Sequence, residues 1–151
     1  MAAKVFDSSS TLGRRILASL ILVGAFLTSS CKPNAGAVVP VSGRVLVDRK
    51  PAERALVVLH PVAATSDDQP KPHGEVKPDG TFQLSTYGSN DGAPPGDYVV
   101  TIEWWLHSGK PGDDSPPVNK LAKKYSSPQL SGLKAHVGDG PTELQPYELS
   151  R

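Results

Sequence analysis

The chain of 151 residues is short of the groups that most chemistry and many folds require. A single cysteine, Cys31, excludes an internal disulfide, and a thiolate metal cluster needs more such ligands than the chain has. Charge of one sign is missing too: 16 Lys and Arg face 15 Asp and Glu with no basic block, so nothing marks a nucleic-acid surface. The longest apolar run, Ile16 to Leu27, is too short for a helix that must cross roughly 30 Å of hydrocarbon with about 20 residues. Long stretches without proline are missing after Cys31, where all 15 prolines lie, and this excludes a helical bundle. The length allows one modest domain and leaves no room for a two-domain enzyme.

What is present begins with an address. Lys4, Arg14 and Arg15 precede the apolar run, and Thr28-Ser29-Ser30 lie directly before Cys31, the order of a secretory signal peptide over residues 1–30. An unpaired exposed thiol is a liability in an oxidising compartment, so a covalent use for Cys31 is expected. Small residues followed at once by the cysteine resemble a bacterial lipobox, which implies cleavage before Cys31 and lipidation of its thiol. The usual large aliphatic residue three places before the cysteine is replaced here by Thr28, with Leu27 one step earlier. Acylation by more than one chain would make dissociation negligible, since each buried methylene contributes about 0.8 kcal/mol. Cleavage removes Lys4, Arg14, Arg15 and Asp7, leaving 13 basic against 14 acidic residues. Lys32, where sorting rules of this kind place aspartate for inner-membrane retention, implies the outer membrane. Residues 31–37 then read as a lipidated tether, turn-prone and short.

From residue 38 the chain reads as strands punctuated by turns. Seven stretches alternate apolar and polar residues with period two: 39–47, 55–60, 73–77, 81–87, 98–106, 133–137 and 143–149. The inward sets are Val41, Gly43, Val45 and Val47; Ala55, Val57 and Leu59; Phe82, Leu84 and Thr86; and Tyr98, Val100, Ile102 and Trp104. Pro78-Asp79-Gly80 predicts a hairpin turn, with proline presetting one angle and glycine supplying a positive φ. Residues 118–125 could form one or two helical turns. Several short strands at this spacing predict an all-β fold, a seven-stranded antiparallel β-sandwich.

Val41-Ser42-Gly43-Arg44-Val45, then Asp48 to Pro51, then Ala55 to Pro61, then Asp79 to Tyr87, then Gly92 to Tyr98 together resemble the carboxypeptidase regulatory-like, or transthyretin-like, domain, over about residues 38–149. The resemblance implies a seven-stranded sandwich with no established activity for members of this size. Arg49 stands where the family favours glycine, which suggests a turn without positive φ there.

The chemical candidates are few. His60, His73, His107 and His136 form no H-x-H or H-x-x-x-H pair, so no metal site is expected, although the acid pair Asp113-Asp114 could take calcium. Intradiol dioxygenases require an H-x-H motif, and hydroxyisourate hydrolases a tail unlike Pro146 to Arg151; neither pattern is present. No G-x-S-x-G elbow appears, and Asp67-Asp68 and Asp113-Asp114 fall in loops where a raised carboxyl is not expected. No catalytic residues, no cofactor and no nucleic-acid partner are therefore expected. The candidate binding residues are Trp105, an outward tryptophan at a strand end, and Tyr87, with the 88–97 and 107–117 loops beside them. The alternative for Trp105 is a ring covered by the 107–129 segment. The expectation is a non-catalytic envelope protein, anchored to a membrane through Cys31, serving as a structural or interaction module; the second reading is a carbohydrate- or peptide-binding module.

Overall fold

The computed structural model describes residues 37–63, 69–107 and 114–151. The expected signal peptide, Cys31, the tether up to residue 36, Asp67-Asp68 and Asp113 lie outside them. Within the described residues the protein is all-β, with one 3-10 turn, Lys123–Ser126.

The seven extended stretches all carry strand, with closer limits than the alternation suggests. One sheet is built on β1 (Val41–Val47), whose alternation buries Val41, Gly43, Val45 and Val47. On one side of it lie β2 (Lys50–Pro51) and β5 (Thr81–Gln83), both antiparallel. On the other lie β10 (Thr142–Glu143) and β11 (Tyr147–Leu149). The facing sheet has the order β4 (His73–Glu75), β3 (Leu56–Pro61), β6 (Gly96–Glu103), β9 (Leu133–Val137), antiparallel throughout. A third, two-stranded piece pairs β7 (Trp105–Leu106) with β8 (Val118–Asn119).

The inward faces of the sheets share one apolar core centred on Phe82, Leu59, Leu84, Ile102 and Val45. Gly43 sits opposite Phe82, where a Cβ would stand 2.6 Å from the end of the phenyl ring. Only glycine lets the ring lie across β1. Phe82 then stacks on Tyr147 at 6.5 Å between ring centres. The Tyr147 hydroxyl donates to the Lys134 carbonyl, and burial pushes its pKa up to about 12. It stays protonated and able to donate.

Three expectations are corrected. The first sheet is mixed, because β10 and β11 run parallel to β1. The turn after β9, residues 138–141, delivers the chain to the end where β1 begins: the Thr142 amide donates to the Pro40 carbonyl. A strand starting there must run alongside β1 in the same direction. Between Glu143, paired with Ser42, and Tyr147, paired with Val45, the last strand carries one extra residue, a bulge that divides it in two.

The second correction is Arg49. Both Asp48 and Arg49 have positive φ, 50° and 65°. The two-residue loop between Val47 and Lys50 must match the right-handed twist of its strands, and this demands positive φ whatever the side chains. The Asp48 amide donates to the Leu149 carbonyl, and the Asp48 carboxylate meets Arg151 at 3.3 Å, so β11 braces the turn.

The third is residues 118–125, which do not begin as a helix. Asn119 spends its side chain on backbone: its Oδ1 accepts from the amides of Trp104, 3.0 Å, and Leu121, 3.1 Å. That draws 118–119 alongside 105–106, and only one 3-10 turn follows.

The hairpin at Pro78-Asp79-Gly80 forms as expected. Gly80 has φ +85°, and Asp79 Oδ1 accepts from both the amide and the hydroxyl of Thr81, which hold its carboxyl below the usual range. Its arms belong to different sheets, β4 to β3 and β5 to β1, so the hairpin forms a corner joining the two layers.

Candidate functional site

The structure places Tyr87 and Trp105 at opposite ends of β6, so they do not form one site. Tyr87 lines a cleft with Gly96, where β6 begins, whereas Trp105 follows its end. Nine residues at about 3.3 Å each put roughly 30 Å of strand between Gly96 and Trp105. The 88–97 connection belongs to the first end, and the segment after Trp105 leaves from the second.

The Tyr87 end is fixed by a carboxylate. Asp91 accepts from three successive backbone amides: Thr86 at 2.7 Å, Tyr87 at 3.0 Å and Gly88 at 2.8 Å. Burial works to raise this carboxyl, but the amides together outweigh it and hold it below its ordinary value. The Thr86 hydroxyl donates to the Gly92 carbonyl at 2.6 Å, and the Asn90 amide donates to Ser85 Oγ. Gly92 closes the knot at φ +99°, with its backbone packed on Val39; a Cβ there would lie 1.7 Å from the Val39 carbonyl oxygen. Val39 and Ala93 in turn exchange backbone hydrogen bonds of 2.9 and 3.0 Å.

This frame holds Tyr87 half-exposed above a cleft of about 320 Å³ lined by Pro61, Pro70, Pro94, Pro95 and Tyr98. Tyr98 is buried and donates its hydroxyl to the Pro94 carbonyl at 2.7 Å. Burial, and then the neighbouring Tyr87, push the Tyr98 pKa up, so it remains a donor. Apolar side chains make up most of the lining, with Gln69 and Asp97 among them. Beside the cleft, Asp97 and His136 face each other across β6 and β9 at 2.7 Å, both largely exposed; such pairs contribute about 0–1 kcal/mol.

At the other end the two tryptophans separate as alternation predicts. Trp104 is buried, donates Nε1 to the Glu53 carbonyl at 2.8 Å, and carries the Arg151 guanidinium 5.5 Å from its ring centre. Trp105 is 50% exposed, so the described part of the 107–129 segment, residues 107 and 114–129, does not cover it. The reason is Asn119, whose bond to the Trp104 amide makes residues 118–119 an edge partner of Trp105 and keeps them from lying over the ring. Trp105 donates Nε1 to Glu103 Oε2 at 2.9 Å, and Val118 is exposed nearby.

Two histidines elsewhere make contacts within the fold. His60 Nε2 lies 2.9 Å from Thr101 Oγ1, and burial, then Lys71, lower its pKa. His73 Nδ1 lies 3.1 Å from the Lys71 carbonyl. Among the described residues, no three His, Cys, Asp or Glu side chains converge on a point where a metal ion could sit. Sequence reasoning missed Asp91 and Asn119. Asp-Gly after a polar, glycine-containing loop is a signal for the first; for Asn119 the sequence offers none.

Comparison with known proteins adds little. No family model matches the chain, and no curated protein matches it. Among solved structures, a 9R-lipoxygenase from Cyanothece PCC8801 superimposes at 14% identity over 75% of this chain and 16% of its own, with a TM-score of 0.39, too low to carry an argument.

Proposed function

We propose that this chain is an exported bacterial lipoprotein, anchored through acylated Cys31 to the outer membrane, whose seven-stranded, transthyretin-like sandwich is a non-catalytic interaction module. The signal-peptide pattern ahead of Cys31 supports the anchor. Two layers around one core, with a corner hairpin at Asp79-Gly80, support the sandwich. The polar groups favour binding over catalysis, because Asp91, Asp79 and His60 are each occupied by a structural partner.

The observation that carries the reading is the half-exposed Trp105, whose Nε1 donates to Glu103 Oε2 at 2.9 Å. An aromatic side chain ordered before contact loses little entropy on contact, which suits a partner-binding residue. The test is co-purification from membranes of the full-length protein and its Trp105→Ala variant. Loss of a partner at unchanged thermal stability supports the module; an unchanged set of partners counts against Trp105 as its contact.

A second reading, a carbohydrate-binding module, is favoured by the same pair. An exposed indole face beside a carboxylate offers stacking for a sugar ring and an acceptor for its hydroxyls. Binding of the purified protein to a polysaccharide panel, abolished by Trp105→Ala, selects it over a protein partner.

A further inference from the structure

Val39 stands at one end of β6 and not midway along it. Val39 pairs with Ala93, just before Pro94, Pro95 and the start of β6, so the chain enters at the Tyr87 end. Eight residue steps separate Cys31 from Val39, which at about 3.3–3.6 Å each reach at most about 29 Å. The Trp105 end is about as far from that point as the whole reach. A lipid on Cys31 therefore brings the Tyr87 end to the bilayer with slack, and the Trp105 end only with none.

The same end exposes an unusual rim. Val62 is 65% and Tyr87 48% exposed, with Ala63, Pro70 and Pro95 between and around them. Val62 is fixed there by its amide, which donates to the Asp97 carbonyl at 2.9 Å. A tyrosine beside aliphatic side chains suits the headgroup layer, where the ring meets acyl chains and the hydroxyl meets water. The charged side chains beside the rim are of both signs: Asp97 lines the cleft, and Asp97, Lys134 and His136 line the surface next to Val62, so a zwitterionic surface suits it better than an anionic one.

Resting on the reading of Cys31 as acylated, we infer that the Val62–Tyr87 rim is a second membrane contact, which seats the domain on a zwitterionic lipid surface and holds Trp105 away from it. The lipid supplies attachment; the rim supplies orientation. A partner in the space beyond the membrane then meets the Trp105 end first.

The test uses the full chain produced in a bacterium, purified with its native modification and reconstituted in phosphatidylcholine vesicles carrying a headgroup nitroxide quencher. Mass of the amino-terminal peptide reads acylation of Cys31. Tyr87→Trp and, separately, Val62→Trp each place a reporter on the rim, while Trp104 and Trp105 report the far end in the unmodified protein. The expected result is loss of the added emission at 87 and 62 with the native tryptophan emission unchanged. Two variants guard against one failing to fold. Acylated Cys31 with unquenched rim reporters, or with native tryptophans quenched as strongly, overturns the seating and leaves the anchor standing. Unmodified Cys31 overturns both.

Discussion

The two ends of β6 are held by different means. Where the chain enters, loops are tied by polar contacts: Asp91 to three amides, Thr86 to Gly92, Tyr98 to the Pro94 carbonyl. At the far end, order comes from packing, with Trp104 sunk into the core and braced by the Glu53 carbonyl, Asn119 and Arg151. Both ends leave one aromatic side chain in solvent on a fixed backbone. An exposed contact residue can thus be ordered either by satisfying the loop that carries it or by burying its neighbour, and the two routes fail differently.

Substitutions that break each route should separate them. The largest effect is expected from Gly92→Ala, where the added methyl meets a backbone carbonyl at a positive φ and neither can yield; the loss should be on the order of 5 kcal/mol, read as failure to fold or a collapsed thermal midpoint. Trp104→Ala should cost about 3–5 kcal/mol by leaving a cavity, seen in urea denaturation as a lower midpoint at unchanged slope.

Asp91→Ala, which leaves the part-buried Thr86 amide unpaired and returns those of Tyr87 and Gly88 to water, should cost about 1 kcal/mol. Its pH dependence has a definite sign. The folded carboxyl ionises below its ordinary range, so its contribution is complete above about pH 4 and is lost as the pH falls through the lower folded value. The stability gap between wild type and variant should therefore be full at pH 7 and narrow in acid; a gap that widens in acid would remove Asp91 from this role. The smallest effect is expected from Trp105→Ala, within about 0.5 kcal/mol, because the ring is half in water and its bond to Glu103 is exposed. A larger loss would mean that the far end relies on both tryptophans.

Much of the packing was legible in the sequence because alternation reports which face a side chain takes. The inward sets Val41, Gly43, Val45 and Val47, and Tyr98, Val100, Ile102 and Trp104, are buried as their spacing predicts, while Thr101, on the other face of β6, is buried against expectation. Alternation says nothing about the direction in which a distant strand returns, so the parallel pairing of β10 and β11 with β1 was not legible. Arg49 shows a different limit. Residue preference disfavours positive φ for arginine, yet the hairpin's geometry and the brace from β11 impose it. That Trp105 faces outward was legible and its separation from Tyr87 was not, since a connection as long as 88–97 can begin beside either end of β6 and still reach Gly96.

The parallel pairing of the last strands with the first has a consequence for assembly in time. β1 completes its ladder on one side only when residues 142–149 arrive, about 100 positions later in the chain. Such distant pairing is slow to form and cannot start while the tail is still being synthesised or threaded. For the export proposed above, a first strand whose ladder waits for residues 142–149 leaves the domain open while they are still being threaded.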